Sequence, residues 1–314
     1  MTKCGYIALL GQPNAGKSTL MNALIGQKIA VVSRKPQTTR NRILGVITTE
    51  ENQLLFLDTP GIHRARGTTL LNSALNNVAL DTTSEADVFC YLVDVESGFT
   101  ELDSKFLINF LKKSDAPFAI LISKSDTKKK IDLQPSHAGI SYQFKEWLAT
   151  QDQSYQDRLL FGGPQTISAK RPEQVADLRE ALGELMPEGP WMFEADEITN
   201  MSGDFLCSEM IREQLFRQLG QELPYGCAVK IEQIKDKEDV VVIDATIAVS
   251  RKHHKPIILG NKGSKIKNIG AEARKSLEKY FEKKVFLTLH VEVASGWTND
   301  MSMLTDLAHL QAQL

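Results

Sequence analysis

The chain of 314 residues has only four cysteines, Cys4, Cys90, Cys207 and Cys227, widely separated and without C-x-x-C spacing. That excludes a disulfide framework or a cysteine zinc knuckle and fits reduced thiols in the cytosol. No apolar run approaches the ~18 residues of a membrane span. No N-terminal signal is expected, because the first strand begins within a few residues of Met1. Internal repeats and low-complexity tracts are absent. Net charge is also nearly absent, at −2, so the total says nothing about nucleic acid and only its distribution can. What remains is a globular composition long enough for two domains.

The most informative stretch is Gly11-Gln12-Pro13-Asn14-Ala15-Gly16-Lys17-Ser18, followed by Thr19. It fits G-x-x-x-x-G-K-[ST] between an apolar run at 6–10 and a helical pattern at 19–25, the strand–loop–helix setting of a phosphate loop. Gly11 and Gly16 permit the tight turn, and the loop amides form an anion nest at a helix N-terminus. Lys17 is expected on the β- and γ-phosphates and Ser18 on Mg²⁺. In the polar segment 27–42, Thr39, with Thr38 as second choice, is the candidate to close over Mg²⁺ and the γ-phosphate. A strand at 54–57 runs into Asp58-Thr59-Pro60-Gly61, about 40 residues after Lys17. Asp58 is placed to hold Mg²⁺ through water, and the Gly61 amide to meet the γ-phosphate. Lys17, Thr39 and Gly61 are therefore the candidate catalytic groups.

Further strands are expected at 43–48, 88–94, 117–122 and 165–167, with helices at 103–113, 142–148 and 172–185. The alternation predicts a doubly wound, mostly parallel six-stranded α/β sheet over 1–186, with ligands at the strands' C-terminal ends. Two prolines and a glycine mark a linker at 187–202. The order then changes to helix 204–219, strands 227–233 and 240–249, the turn Gly260-Asn261-Lys262-Gly263 between two short helices, helix 271–281 and strand 285–293. Residues 251–284 hold 11 Lys and Arg against 3 Glu, a patch that attracts phosphate by counterion release. Gly260, Asn261, Lys262 and Gly263, with Lys265 and Lys267, are expected to clamp a single-stranded RNA backbone, and Ile257 and Ile258 to floor its bases. A solvated basic helix face is the plainer alternative. His253 and His254 join this patch. The tail 297–314 carries no firm reading.

The ordered set at 11–18, 37–40, 58–61, Ser123-Lys124-Ser125-Asp126 and Ser168-Ala169-Lys170 resembles the five boxes of translation-factor-class GTPases. Together with the type II KH order over 203–296, the chain resembles the Era family of bacterial GTPases over nearly its whole length. The resemblance implies that Asp126 reads the guanine edge, that the Lys124 stem lies along the base and that the Ala169 amide meets the guanine oxygen. Ser123 stands where Asn is usual, a loss of about one hydrogen bond or ~1 kcal/mol. Ile62 replaces the water-orienting Gln of Ras-like enzymes, which implies slow turnover. Asn14 resembles the Asn that binds K⁺ in GTPases of this Ile-containing kind; plain turn chemistry is its alternative reading. The family further implies GTP/GDP, Mg²⁺ and K⁺ as ligands, and 16S ribosomal RNA and the 30S subunit as partners. It also implies a role in assembling that subunit, and a cytoplasmic location with peripheral contact with the inner membrane. No DNA is expected. A nucleotide-holding RNA scaffold with negligible hydrolysis stays open. A tRNA-modifying enzyme would need its own catalytic constellation, which the sequence does not show.

Overall fold

The computed structural model describes residues 2–33, 35, 39–59, 70, 85–127 and 136–308. The chain divides into two compact units, one ending at Asn200 and the other comprising Met201–Leu314 together with Val31–Asn41 and Ala65–Ala74.

The first unit is built on a six-stranded sheet. Its strands are β1 (Lys3–Gly11), β2 (Ile43–Thr48), β3 (Asn52–Asp58), β4 (Val88–Asp94), β5 (Phe118–Ser123) and β6 (Gln165–Thr166). The order is β2-β3-β1-β4-β5-β6, with only the β2–β3 pair antiparallel. Strands β1, β4 and β5 read as near-continuous apolar runs because helices cover both faces of a parallel sheet. Helices α1 (Lys17–Ile25), α2 (Glu101–Leu111), α3 (His137–Ala149) and α4 (Pro172–Glu184) supply that cover. Each starts as its local chemistry directs: a Thr100–Asp103 capping box begins α2, a Ser136 side-chain cap begins α3 and Pro172 opens α4. One apolar cluster joins Phe89, Tyr91, Phe110, Phe118, Ile120, Ile140 and Phe144 across the sheet. The six strands and their mostly parallel pairing agree with the sequence reading.

The stretch expected to be a linker is irregular but not loose. Cys4 N donates to Pro187 O and Gly189 N to Thr2 O. The fully buried Gln53 carboxamide accepts from Met192 N and Phe193 N and donates to Phe193 O. Val46 N donates to Ile198 O, and Thr199 Oγ1 to Leu44 O. Residues 187–199 are thus fastened along β1, β2 and β3.

In the second unit, α5 (Gly203–Gln218) precedes β7 (Cys227–Asp236), β8 (Val240–Val249), α6 (His254–Leu259), α7 (Ser264–Phe281) and β9 (Lys284–Val293). The sheet order is β7-β8-β9, antiparallel then parallel. Helices α5 and α7 lay Cys207, Ile211, Leu215, Ile269, Ala273 and Leu277 on Val229, Ile243, Ala245 and Ile247. The helix after the glycine turn is not short: it runs 18 residues without a break, because its apolar residues keep one face. The tail also belongs to this unit. Trp297 is fully buried, and α8 (Met301–Ala308) sets Leu304 and Leu307 inward while Lys230 on β7 pairs with Asp306. Among the described residues, no helix is long and apolar enough to cross a membrane.

Candidate functional site: a phosphate loop, a base pocket and a glycine clamp

The loop after β1 takes the backbone its sequence asks for. Gly11 has φ 139°, and a Cβ there would lie 2.5 Å from the Leu92 carbonyl, so only glycine fits. Asn14 at φ 66° and Gly16 at φ 96° complete the turn; Asn is among the few residues that accept this region readily. Helix α1 then begins at Lys17 with no side-chain cap and no acid in its first turn. The positive dipole end of this helix faces the loop.

Lys17 is buried, and its ammonium donates to Gly11 O and Gln12 O, both at 3.0 Å. Burial pushes its pKa down to about 8, against the opposing pull of Asp58. Ser18 donates its hydroxyl to Asp58 Oδ2 at 2.6 Å, and Asp58 is fully buried at the end of β3. Two hard oxygens from separate elements thus converge beside the loop lysine, a donor set that suits Mg²⁺. Thr59 Oγ1 donates to Leu9 O and pins the start of the third box to β1. Pro60, Gly61, Ile62, Gln37 and Thr38 lie outside the described residues. Thr39 is buried, within the segment grouped with the second unit.

Sequence reasoning missed a brace on the loop. Gln12 Nε2 donates to Thr100 Oγ1 at 2.9 Å; that hydroxyl donates to Asp103 Oδ2, and Tyr91 OH donates to Asp103 Oδ1. The capping box of α2 therefore also holds the phosphate loop. The Thr100-x-x-Asp103 pattern was visible in the sequence, but its partner 88 residues away was not.

The fourth and fifth boxes meet at Asp126. Its Oδ1 accepts from Ser168 Oγ and its Oδ2 from Lys170 Nζ, each at 2.7 Å. The Lys170 bond first, and then the Ser168 bond, lower the pKa of this carboxyl below the ordinary aspartate value. Lys124 sits at φ 58° and pairs with Asp94 Oδ2 at 2.6 Å, which fixes its stem. Ser123 ends β5 and lies beside the loop after β1. It is buried and donates to Ala15 O at 2.6 Å, with Val93 O next at 3.3 Å. The hydroxyl ties the base box to the phosphate loop. Ser125 N donates to Ile167 O and so joins the fourth box to the fifth, whose Ala169 follows Ser168 directly.

In the second unit, Gly260 (φ 71°) and Gly263 (φ 77°) flank a single 3₁₀ turn in which Lys262 sits at φ 50°. A Cβ on Gly260 would fall 2.6 Å from Lys265 Cβ and 2.9 Å from Lys265 N, so the close approach of α6 and α7 demands glycine. Asn261, Lys262 and Lys267 are exposed, Lys265 half-buried, and Ile257 is 53% exposed. Ile258 is a correction. It has no exposed surface and belongs to the core, because it lies on the inward face of α6. It cannot floor an RNA base.

Comparison with known proteins agrees with both halves. Residues 6–124 match the family model described as "50S ribosome-binding GTPase", and residues 222–298 match that of the KH domain. GTPase Era of Coxiella burnetii is 38% identical over 309 residues, covering 98% of each chain. The chain belongs to the Era family of GTPases. The Pseudomonas aeruginosa Era is 39% identical over 98% of this chain and 95% of its own. An Aquifex aeolicus Era variant bound to GDP·AlF4⁻ matches with a TM-score of 0.87 at 32% identity, covering 98% of this chain and 99% of that one. A solved Era in complex with MgGDPNP and nucleotides 1506–1542 of 16S ribosomal RNA matches with a TM-score of 0.83 at 33% identity and the same coverage. Both Era structures hold a guanine nucleotide.

Proposed function

We propose that this Era-family chain binds and slowly hydrolyses GTP, and holds the 3′ end of 16S ribosomal RNA in its KH unit to assist small-subunit assembly. The observation that carries the reading is Asp126. It is a carboxylate kept ionised by Ser168 and Lys170 at the strand ends where the phosphate loop also lies. An ionised acceptor there takes the two donors of the guanine edge and repels the adenine pattern.

The loop amides and Lys17 would bind the β- and γ-phosphates, with the lysine leaving the Gly11 and Gln12 carbonyls for phosphate oxygens. Ser18, Thr39 and Asp58 are the oxygens that would hold Mg²⁺, which supplies charge neutralisation at the phosphates. Asn14 is the candidate K⁺ ligand. Ile62 has no group to orient water, so turnover is slow and rests on charge stabilisation. The exposed edge of the 260–263 turn and its lysines would grip the RNA backbone. The chain would act in the cytoplasm, with peripheral contact at the inner membrane. Multiple-turnover phosphate release from GTP in KCl against NaCl, with ATP as control, tests the enzyme. Equal rates in the two salts remove the K⁺ role, and no turnover at all leaves a nucleotide-holding scaffold.

A further inference from the structure

Arg40 follows Thr39 directly, and among the described residues of the segment Val31–Asn41 it is a buried charge. The residue is 4% exposed and lies wholly within the second unit. One terminal nitrogen donates to Cys227 O at 2.9 Å. The other donates to Tyr225 O at 3.0 Å and reaches Pro224 O at 3.4 Å. The guanidinium lies over the Trp297 ring, 5.4 Å from its centroid. Three carbonyls from one turn and an aromatic face make a socket fitted to a planar fork of donors. Lys35 of the same segment donates to Leu219 O.

The socket neighbours the helix that leads to the glycine turn. Gly226, in its centre, accepts from Trp297 Nε1 at 3.1 Å and from Ser250 N at 2.9 Å. A Cβ on Gly226 would fall 2.6 Å from Ser250 Oγ and 3.5 Å from the His254 ring. His254 is the first residue of α6, the helix that ends at Gly260. The start of β7 and the start of α6 therefore lie beside the carbonyls that receive Arg40, and α6 runs from there to the glycine turn.

The geometry points to Arg40 as a positioning residue that couples nucleotide loading to RNA binding: its seating in the 224–227 socket and the ordering of Thr39 favour one another. This rests on the reading above, in which Thr39 answers to the γ-phosphate and the 260–263 turn to RNA. The physical reason is that adjacent residues share one backbone. Once either is fixed, the other has less freedom to lose, so each event lowers the cost of its neighbour. Reciprocity follows, and RNA must raise affinity for the triphosphate by the same factor.

The test uses the full chain, its Arg40→Ala and Arg40→Lys variants, and a 16S oligoribonucleotide spanning 1506–1542, the segment in the relative's complex. RNA affinity is measured with GDPNP·Mg²⁺ and with GDP. The wild type should bind RNA at least about fivefold more tightly with GDPNP, the lower end of ordinary allosteric coupling. Both variants should bring that ratio near one and leave GDP affinity within about twofold. Lysine keeps the charge and loses the fork, so it serves if alanine impairs folding. In a Trp147→Phe, Trp191→Phe background, GDPNP should shift the emission of Trp297 only when Arg40 is present. Variants that keep the wild-type ratio, or a Trp297 signal blind to Arg40, overturn the proposal. A wild-type ratio of one removes the coupling itself while leaving GTP and RNA binding as separate facts. Absence of either binding removes the functional reading beneath it.

Discussion

Ser123 donates its hydroxyl to the carbonyl of Ala15, 108 residues earlier in the chain, at 2.6 Å and out of contact with water. The bond joins the segment 123–126 to the loop 11–18, so under the function proposed above the two ends of one nucleotide would be held by elements that hold each other. Replacing Ser123 with Ala removes the link and leaves the Ala15 carbonyl buried with one partner fewer. GTP and GDP affinity should both fall about five- to tenfold, or ~1–1.5 kcal/mol. Because the bond touches neither the base nor the γ-phosphate, the loss should be equal for the two nucleotides. Titration with fluorescent GTP and GDP analogues checks it, and a loss confined to one of them would contradict this role.

Asp126→Asn should cost ~2–3 kcal/mol of preference for guanine over adenine and raise the affinity for xanthosine triphosphate, which presents an acceptor where guanine presents a donor. The accompanying loss of the Lys170 pair matters little, since Lys170 is 79% exposed. Competition among GTP, ATP and xanthosine triphosphate gives the answer.

Lys17 makes nucleotide affinity depend on pH. In the unloaded protein burial lowers its pKa from the ordinary 10.5 to about 8, whereas phosphate binding requires the charged form. Above pH 8 the free protein loses the proton and binding must restore it. GTP affinity should therefore fall as pH rises from 8 toward 10, approaching tenfold per pH unit. Stability of the unloaded protein moves the other way. The unfolded chain holds more protons between about 8 and 10.5, so stability should rise through that window by a few kcal/mol at most. Isothermal titration across pH, with Lys17→Met as control, tests the first statement. Denaturant melts test the second.

The glycine turn admits a clean separation of the two activities. Gly260→Ala forces a Cβ to within 2.6 Å of Lys265 Cβ at a φ of +71°, and should abolish RNA binding while GTP binding stays intact. Lys262→Ala leaves the fold alone. It should weaken RNA binding about equally across sequences and reduce the salt slope by about 0.7, the value for one phosphate contact on a single strand. Filter binding across a KCl series measures both.

Gln53→Ala tests whether the stretch before the second unit is held as the hydrogen bonds indicate. The variant leaves Met192 N and Phe193 N without their acceptor. It should cost about 2–3 kcal/mol of first-unit stability, read by thermal melting, with nucleotide affinity little changed.

The sequence alone determined the six-strand order of types, the phosphate loop, the base boxes and the glycine turn. In each of these the physics is local. A φ that only glycine tolerates, a lysine at a helix start or a period of apolar residues is written within a dozen neighbours. Tertiary structure decided what local spacing cannot carry. Ile258 looked like a surface floor beside Ile257 until the helix face placed it in the core. Ser123 was a hydroxyl at a position where Asn is usual, and its partner, the Ala15 carbonyl 108 residues earlier, came only with the fold. The tail had no reading until Trp297 and Leu304 were seen buried. Arg40 was one basic residue in a polar loop; its partners are three backbone carbonyls and a ring drawn from residues 224–227 and 297. A carbonyl acceptor is common to all residue types, so no composition or spacing could have announced that socket before the chain folded around it.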